Sequence, residues 1–343
     1  MASLGPSGNV GNPDGLIPEE LGFMCGIEIH QQLSSGKLHS RQEGILYELN
    51  LEEIPYEWNR VRRKQRAARG EAGKIDTAAA FEQKRNRSFI YVQTPNSGLI
   101  ELDEAPPLPL DPKAVETTLR ISAMLNATPA PHLQVMRKTV VDGSNTSGFQ
   151  RTTLVATGGK FEVEGTEVGI SVICLEEDSA RKLGEETNSE GQEVTYSLDR
   201  LGIPLVEIAT DPDIISPEHA EAVSRYLGGR LRDTRSVRRG LGSIRQDLNV
   251  SIACGDRVEI KGCQDLEWIP RIIRIEMARQ LHFFRLANEL RAEQGYEPLP
   301  DDRRSDDEED EARIRTLVEK ILRGGVTDVT EVLVGIETKM IAS

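Results

Sequence analysis

Along residues 23–33 apolar side chains alternate with others: Phe23, Cys25, Ile27 and Ile29 share one face, and Glu28 and His30 share the opposite one. That period of two predicts a strand half-buried against a core. The stretch from Ile75 to Gln83 has a helical pattern. Residues 89–103 read as a strand running into an acidic turn at Glu101, Asp103 and Glu104, and Pro106-Pro107 ends it. A helix is predicted over 112–126, where Ala114, Thr118, Ile121 and Leu125 recur at helical spacing and Val115 and Leu119 widen the stripe.

From 130 to 210 the pattern turns to short strands. They are expected at Gln134–Val141, Arg151–Ala156, Lys160–Val163, Glu167–Leu175, Glu193–Asp199 and Leu205–Ala209, with a glycine corner at Thr157-Gly158-Gly159. Ser216-Pro217-Glu218 has the form of a helix start, Ser as N-cap with Pro and an acid in the first turn, and predicts a helix to about Arg232. Strands follow at Arg245–Ile252 and Arg257–Ile260, then a long helix from about Trp268 to Ala292 with Gly295 just past it. Ile269, Ile273, Met277, Leu281 and Phe284 form its apolar side. No strand–helix–strand rhythm appears, which argues against a parallel doubly wound sheet.

At the ends the pattern fades. Residues 1–20 contain Gly and Pro with neither a charged start nor an apolar run, so they read as a flexible tail and not as a signal peptide. The main body is expected over 21–295, an acidic disordered loop over 296–312, and a short helix, Ala312 to Arg323, opens the last stretch, 313–343.

The 343 residues suffice for one large domain with a smaller piece, or for two. Aromatics at 4% argue against a stacking-rich binding module. The net charge of −14, from 56 acidic and 42 basic residues, is not that of a default nucleic-acid binder, because phosphates repel it. The kind of base changes that picture: 11 are Lys and 31 are Arg. This haloarchaeal-like composition fits a protein working at high salt, where repulsion is screened within about 3 Å at 1 M and bidentate Arg–phosphate contacts persist. An ordinary acidic protein from a GC-rich genome is the alternative. No run of about 18 apolar residues is present, so no membrane span is expected. Cys25, Cys174, Cys254 and Cys263 form no CxxC pair and read as buried, reduced thiols of a cytoplasmic protein. Residues 57–87 hold ten basic side chains, among them Arg60, Arg66, Arg69 and Lys74, against four acids. The patch is either an RNA contact or a solvated helix face.

Four segments set ionisable groups within apolar strands, where an uncompensated charge is costly. They are Gly26-Ile27-Glu28-Ile29-His30, Cys174-Leu175-Glu176-Glu177-Asp178, the run Leu198 to Ile208 with Glu207 among apolar neighbours, and Gly242 to Val250. Carboxylates with an imidazole are what a Mg²⁺ site coupled to a nucleotide phosphate would use. Structural pairing of each acid with one of the many arginines is the competing reading. Gly143 to Gly148 has GxxxxG spacing, but Phe149-Gln150 replaces the Lys-Ser/Thr of a phosphate-binding loop.

In these segments the sequence resembles the GatB/GatE family of tRNA-dependent amidotransferases. The resemblance is carried by Gly26 to His30, Lys37-Leu38, Glu176 to Asp178, Arg200 to Ile208, Asp211 to Ile214, Gly242 to Ser251 and Glu259 to Lys261, in that order. Gly143 to Thr152 and Glu28 to Gln32 resemble the archaeal E branch and not the B branch. The resemblance implies an α+β fold, a cradle-like domain built on a mainly antiparallel β-sheet with flanking helices. It implies ATP-dependent conversion of Glu-tRNA(Gln) to Gln-tRNA(Gln) through a γ-phosphoryl-glutamyl intermediate. Mg²⁺ would be held by His30, Glu176 and Glu207, with Glu28 as a further catalytic residue. An asparaginase-like partner, the D component of the same amidotransferase, would supply ammonia. Some relatives carry Cys after the Lys-Leu turn; here it reads His39-Ser40, which implies no zinc at that point. The family continues well beyond this length, so residues 313–343 read as the start of an incomplete insertion resembling part of an aspartyl-tRNA synthetase. The alternative function is therefore a truncated, non-catalytic tRNA-binding or assembly fragment that docks on the asparaginase-like partner.

Overall fold

The computed structural model describes residues 5–64, 75, 77–85, 87–188 and 191–304. Its elements are β1 (Met24–Gln32), β2 (Arg60–Arg63), α1 (Thr77–Lys84), β3 (Ser88–Val92), α2 (Pro112–Met124), β4 (Thr128–Pro129), β5 (Val135–Thr139), β6 (Phe149–Val163), β7 (Thr166–Glu177), β8 (Arg181–Asn188), β9 (Gly191–Ser197), β10 (Pro204–Thr210), α3 (Pro217–Asp233), β11 (Ile244–Ser251), β12 (Val258–Ile260) and α4 (Ile269–Glu293). The larger sheet runs β12-β11-β1-β10-β7-β6-β4, with β5 also on β6, and all its pairings are antiparallel. The smaller one runs β2-β3-β9-β8 and contains a single parallel pair, β3 with β9. The chain is thus α+β on mainly antiparallel sheets.

The period of two decides which way the large sheet faces. Cys25, Ile27 and Ile29 of β1, Val206 and Ile208 of β10, Ile173 and Leu175 of β7 and Leu248 and Val250 of β11 are buried in one apolar cluster. α2, α3 and α4 add Ile121, Leu227, Ile273, Met277, Leu281 and Phe284 to that cluster, so the helices cover one face of the sheet. The intervening residues, Glu28 and His30 among them, are left on the other face. Helix starts are legible locally: Ser216 Oγ accepts from His219 N and Asp111 accepts from Ala114 N, each capping a helix with Pro in its first turn.

Several expectations change. The glycine corner does not divide two strands; β6 is continuous from Phe149 to Val163. A register shift at Leu154/Ala156 and a left-handed Gly158 (φ 66°) are absorbed within it. Gly159 is required by close approach, since a Cβ there would lie 2.7 Å from Leu125 O and 3.1 Å from Ile170 Cβ. The chain reverses at Glu164-Gly165 instead, both left-handed (φ 52° and 82°), as a two-residue hairpin demands. β8 has no counterpart among the expected strands, because Arg181–Asn188 lacks an apolar alternation. The strand expected over 89–103 ends at Val92.

The flexible tail is also corrected. Leu16 and Leu21 are buried in the main cluster and Val10 packs against it. Arg285 donates to the carbonyls of Pro6 (2.6 Å) and Gly8 (2.9 Å), strapping this segment to α4. The described part of the acidic loop is anchored too: Leu299 N donates to Asn288 Oδ1 (2.7 Å) and Arg303 N to Ala253 O (2.9 Å). The remainder of that loop, the helix expected from Ala312 and residues 313–343 lie outside the described residues. Among the described residues no helix is long and apolar enough to cross a membrane.

Candidate active site

β1 lies between β10 and β11, and β10 pairs with β7. Register sets the polar face. His30 is the cross-strand partner of Glu207 on one side and Arg245 on the other, while Glu28 lies opposite Asp247. Glu207 pairs with Cys174, which puts Glu176 one side-chain step further along the same face of β7. Residues 28, 30, 176 and 207, far apart in the sequence, therefore meet. His30 Nε2 lies 3.4 Å from Glu28 Oε1, 3.3 Å from Glu207 Oε2 and 3.8 Å from Glu176 Oε2.

The groups perturb one another. Burial and the charge of Glu207 push Glu28 up from the ordinary carboxylate range. Burial, with Glu207 again, raises Glu176 to about 7, against the hydrogen bond from Thr152. Burial opposes charge on His30, but its hydrogen bond to Glu207 and the surrounding carboxylates outweigh burial and raise it. Glu207 goes the other way: burial would lift it, yet the hydrogen bond and charge of His30 hold it low. The contact with His30 thus favours the charged form of Glu207, while burial and the neighbouring carboxylate make Glu176 the readier proton acceptor.

Sequence reasoning missed the groups that position these four. Glu176 accepts from Thr152 Oγ1 (2.7 Å) and Gln150 Nε2 (3.1 Å), both on β6. Lys138 of β5, the register partner of Gln150, lowers the proton affinity of Glu28, Glu176 and Glu207. Gln150 and Thr152 fall in a segment that carries the resemblance, but the sequence does not state which strand they and Lys138 would face.

Among the described residues, ionic pairing with arginine takes the neighbouring acids and leaves these three carboxylates. Arg151 grips Glu177 (3.0 Å), Arg245 and Arg200 flank Asp178 (3.1 and 3.7 Å), and Arg181 reaches Asp199 (3.4 Å). In the basic stretch, Arg62 pairs with Glu193 (2.8 Å), Arg63 with Glu104 (2.7 Å) and Arg87 with Glu82, while Arg66, Arg69 and Lys74 lie outside the described residues. A small pocket is lined by His39, Glu101, Thr146, Arg151 and Glu177 among others, and none of the four is in its lining.

The donor set fits a divalent cation. One atom each from Glu28, His30 and Glu207 lies within 4.8 Å of the other two. Crowded carboxylates on a half-buried face gain from a dication that offsets their repulsion, and carboxylate oxygens suit Mg²⁺ or Mn²⁺. Glu28 occupies the place in this trio that the resemblance assigns to Glu176, whose oxygens are engaged by Thr152 and Gln150.

With this geometry in hand, comparison with known proteins places the chain. The profile of the GatB/GatE catalytic domain matches residues 23–321. The chain belongs to the GatB/GatE family. It is 47% identical over 274 residues to a protein of Pyrococcus furiosus named as the E component of glutamyl-tRNA(Gln) amidotransferase, covering 80% of this chain and 42% of that one. Its identity to the protein of the same name from Thermococcus gammatolerans is 48% over 281 residues, 82% of this chain and 43% of the relative. For that of Saccharolobus islandicus it is 48% over 277 residues, 79% and 41%. The chain spans somewhat over two-fifths of the length of these GatB/GatE relatives, and that part holds Glu28, His30, Glu176 and Glu207.

Proposed function

We propose that this chain carries the transamidation centre that converts Glu-tRNA(Gln) to Gln-tRNA(Gln), using ATP, Mg²⁺ and ammonia from an asparaginase-like partner. The observation that supports this reading most directly is the convergence of an imidazole and three carboxylates, from three adjacent strands, within 3.8 Å of His30 Nε2. The relatives' names supply the substrate.

The chemistry asks for this arrangement. A γ-carboxylate is a poor acyl donor because oxide is a poor leaving group. Its oxygen attacks the γ-phosphorus of ATP, ADP leaves, and the acyl phosphate forms; ammonia then attacks the acyl carbon and phosphate departs. Mg²⁺ bound by Glu28, His30 and Glu207 would offset the negative charge that develops on the phosphoryl and departing oxygens. His30 is fixed by Glu207, so its ring keeps one orientation. Glu176, held by Thr152 and Gln150, is placed to take a proton from incoming ammonium, since only ammonia is the nucleophile.

The test is direct. The purified chain with its asparaginase-like partner, Glu-tRNA(Gln), ATP, Mg²⁺ and asparagine in high salt is expected to form Gln-tRNA(Gln). Glu207→Gln is expected to abolish tRNA-dependent ATP hydrolysis while leaving the circular-dichroism spectrum unchanged; undiminished turnover removes Glu207 from the centre. A chain that binds the partner and never hydrolyses ATP with tRNA present is the assembly fragment instead.

A further inference from the structure

The loop between α3 and β11 plays no part in the centre above, yet it is built against it. Arg238 N donates to Gln32 O (2.9 Å) and Gln32 N to Ser243 O (2.9 Å). Gln31 Nε2 donates to the carbonyls of Arg238 (3.1 Å) and Ser243 (2.9 Å). The Arg238 guanidinium folds inward onto the carbonyls of Leu33 (3.1 Å) and Gly44. Both ends of the loop are thus fastened to the last residues of β1, where Gln32 is two residues from His30, and the loop runs directly into Arg245, the register partner of His30.

Its tip is of a different character. Gly240 (φ 110°) and Gly242 (φ 79°) adopt backbone conformations that a side chain would strain, and between them they present Leu241 fully exposed. A single exposed leucine is ordinary by itself, and what distinguishes this one is its setting, on a glycine-bounded tip beside exposed arginines. Residues 235–245 also hold four arginines (Arg235, Arg238, Arg239 and Arg245) and no carboxylate, within a chain of net charge −14. Arg238 is spent inward and Arg245 is tied on one side to Asp178 (3.1 Å). Arg235 and Arg239 remain exposed, and among the described residues no carboxylate pairs with either.

We infer that this loop is the platform for the single-stranded 3′ end of the aminoacylated tRNA, with Leu241 packing against a terminal base and Arg235 and Arg239 meeting the last phosphates. The inference rests on the proposed transamidation for the identity of the RNA. Charge complementarity selects the occupant: guanidinium groups on an acidic molecule favour phosphates, and an apolar tip beside them suits the face of an unpaired base. The position does the rest, because a 3′ end laid along this loop delivers its esterified glutamate towards His30. Guanidinium also remains effective at high salt, where lysine-based steering is screened.

The experiment uses the full chain and a tRNA(Gln) transcript whose terminal adenosine carries a photoreactive azide. Wild type is expected to crosslink within residues 235–245, mapped by mass spectrometry. Arg239→Glu and Leu241→Asp, both at exposed positions, are each expected to weaken tRNA binding roughly tenfold or more. Arg239→Glu is further expected to reduce the slope of log Kd against log salt by about 0.7–1. Mg²⁺ binding by each variant is expected to match wild type, which separates loss of RNA contact from loss of fold. Crosslinks elsewhere, affinities within twofold of wild type in both variants, absence of tRNA binding by wild type, or protection of the loop by the asparaginase-like partner alone would each overturn the inference. Loop-dependent tRNA binding without any Gln-tRNA product would uphold the platform and sink the transamidation reading.

Discussion

Lys37 is the clearest case of a residue whose environment, and not its type, sets its behaviour. Its ammonium is fully buried, donates to Leu198 O (2.8 Å) and lies 3.8 Å from Glu101. Burial, opposed by Glu101 and Asp199, lowers it to about 8 from an ordinary 10.5. Below pH 8 the lysine is charged in folded and unfolded chains alike, and its contribution to stability does not vary. Between about pH 8 and 10.5 the unfolded chain holds a proton that the folded one has lost, so the stability contributed by this group rises with pH. Urea unfolding of wild type and Lys37→Met is therefore expected to show the difference shifting in favour of wild type across that window; a flat difference would mean that Lys37 titrates normally. At the same scale the cost of charge in apolar strands marked the segments that hold Glu28, His30, Glu176 and Glu207, while the choice of these four from among the other ionisable groups of those segments came from the resemblance. Their partners Thr152, Gln150 and Lys138 could not be recognised as such, because each lies on a strand whose neighbour is settled only by folding.

Elements were legible where a local signal existed. The cap of α3 and the apolar stripes of α2 and α4 follow from sequence spacing and recur in the structure with ends shifted by a residue or two. β6 departs from expectation because glycine has two meanings. Gly158 faces open space and is needed for its left-handed backbone, whereas Gly159 is needed because the Leu125 carbonyl and Ile170 press on it. These roles predict different costs. Gly158→Ala is expected to lose about 1–2 kcal/mol of stability from backbone strain alone. Gly159→Ala is expected to lose roughly 1–3 kcal/mol through overpacking against atoms that cannot rotate away. Thermal or urea unfolding checks both, and loss of stability at Gly159→Ala without any change at Gly158→Ala would refute the backbone argument.

Across the whole molecule, the division of labour is between the two faces of one sheet. Helices seal one face, and the charged groups collect on the other, where a cation or a substrate can reach them. The N-terminal segment completes the sealed side by packing against α4, with Gly5 beside Phe284 and Leu16 in the same buried cluster. Removing residues 1–17 would expose the sites of Leu16 and Val10 and leave the Arg285 donors without their carbonyls. The expected cost is roughly 2–4 kcal/mol, the scale of burying one leucine and part of a valine with their polar contacts. A fall in Tm of several degrees would be the readout, with Mg²⁺ binding retained; an unchanged Tm would return this segment to the status of a tail.

The helices, the strands with clean alternation, the exclusion of a parallel doubly wound sheet and the segments that set ionisable groups among apolar neighbours are all written into the chain, because caps, periodicity and the cost of buried charge are local properties. Which strands become neighbours is settled only on folding. Placing β1 between β10 and β11 turns residues about 180 positions apart into side chains 3.3 Å apart. Folding also brings Glu28 in among the candidate cation ligands, secures Glu176 with Thr152 and Gln150, and fastens an arginine-rich loop beside His30. The physical reason is that strand pairing is specified by the packing of a shared core, and no single strand carries the information about which partner will bury it.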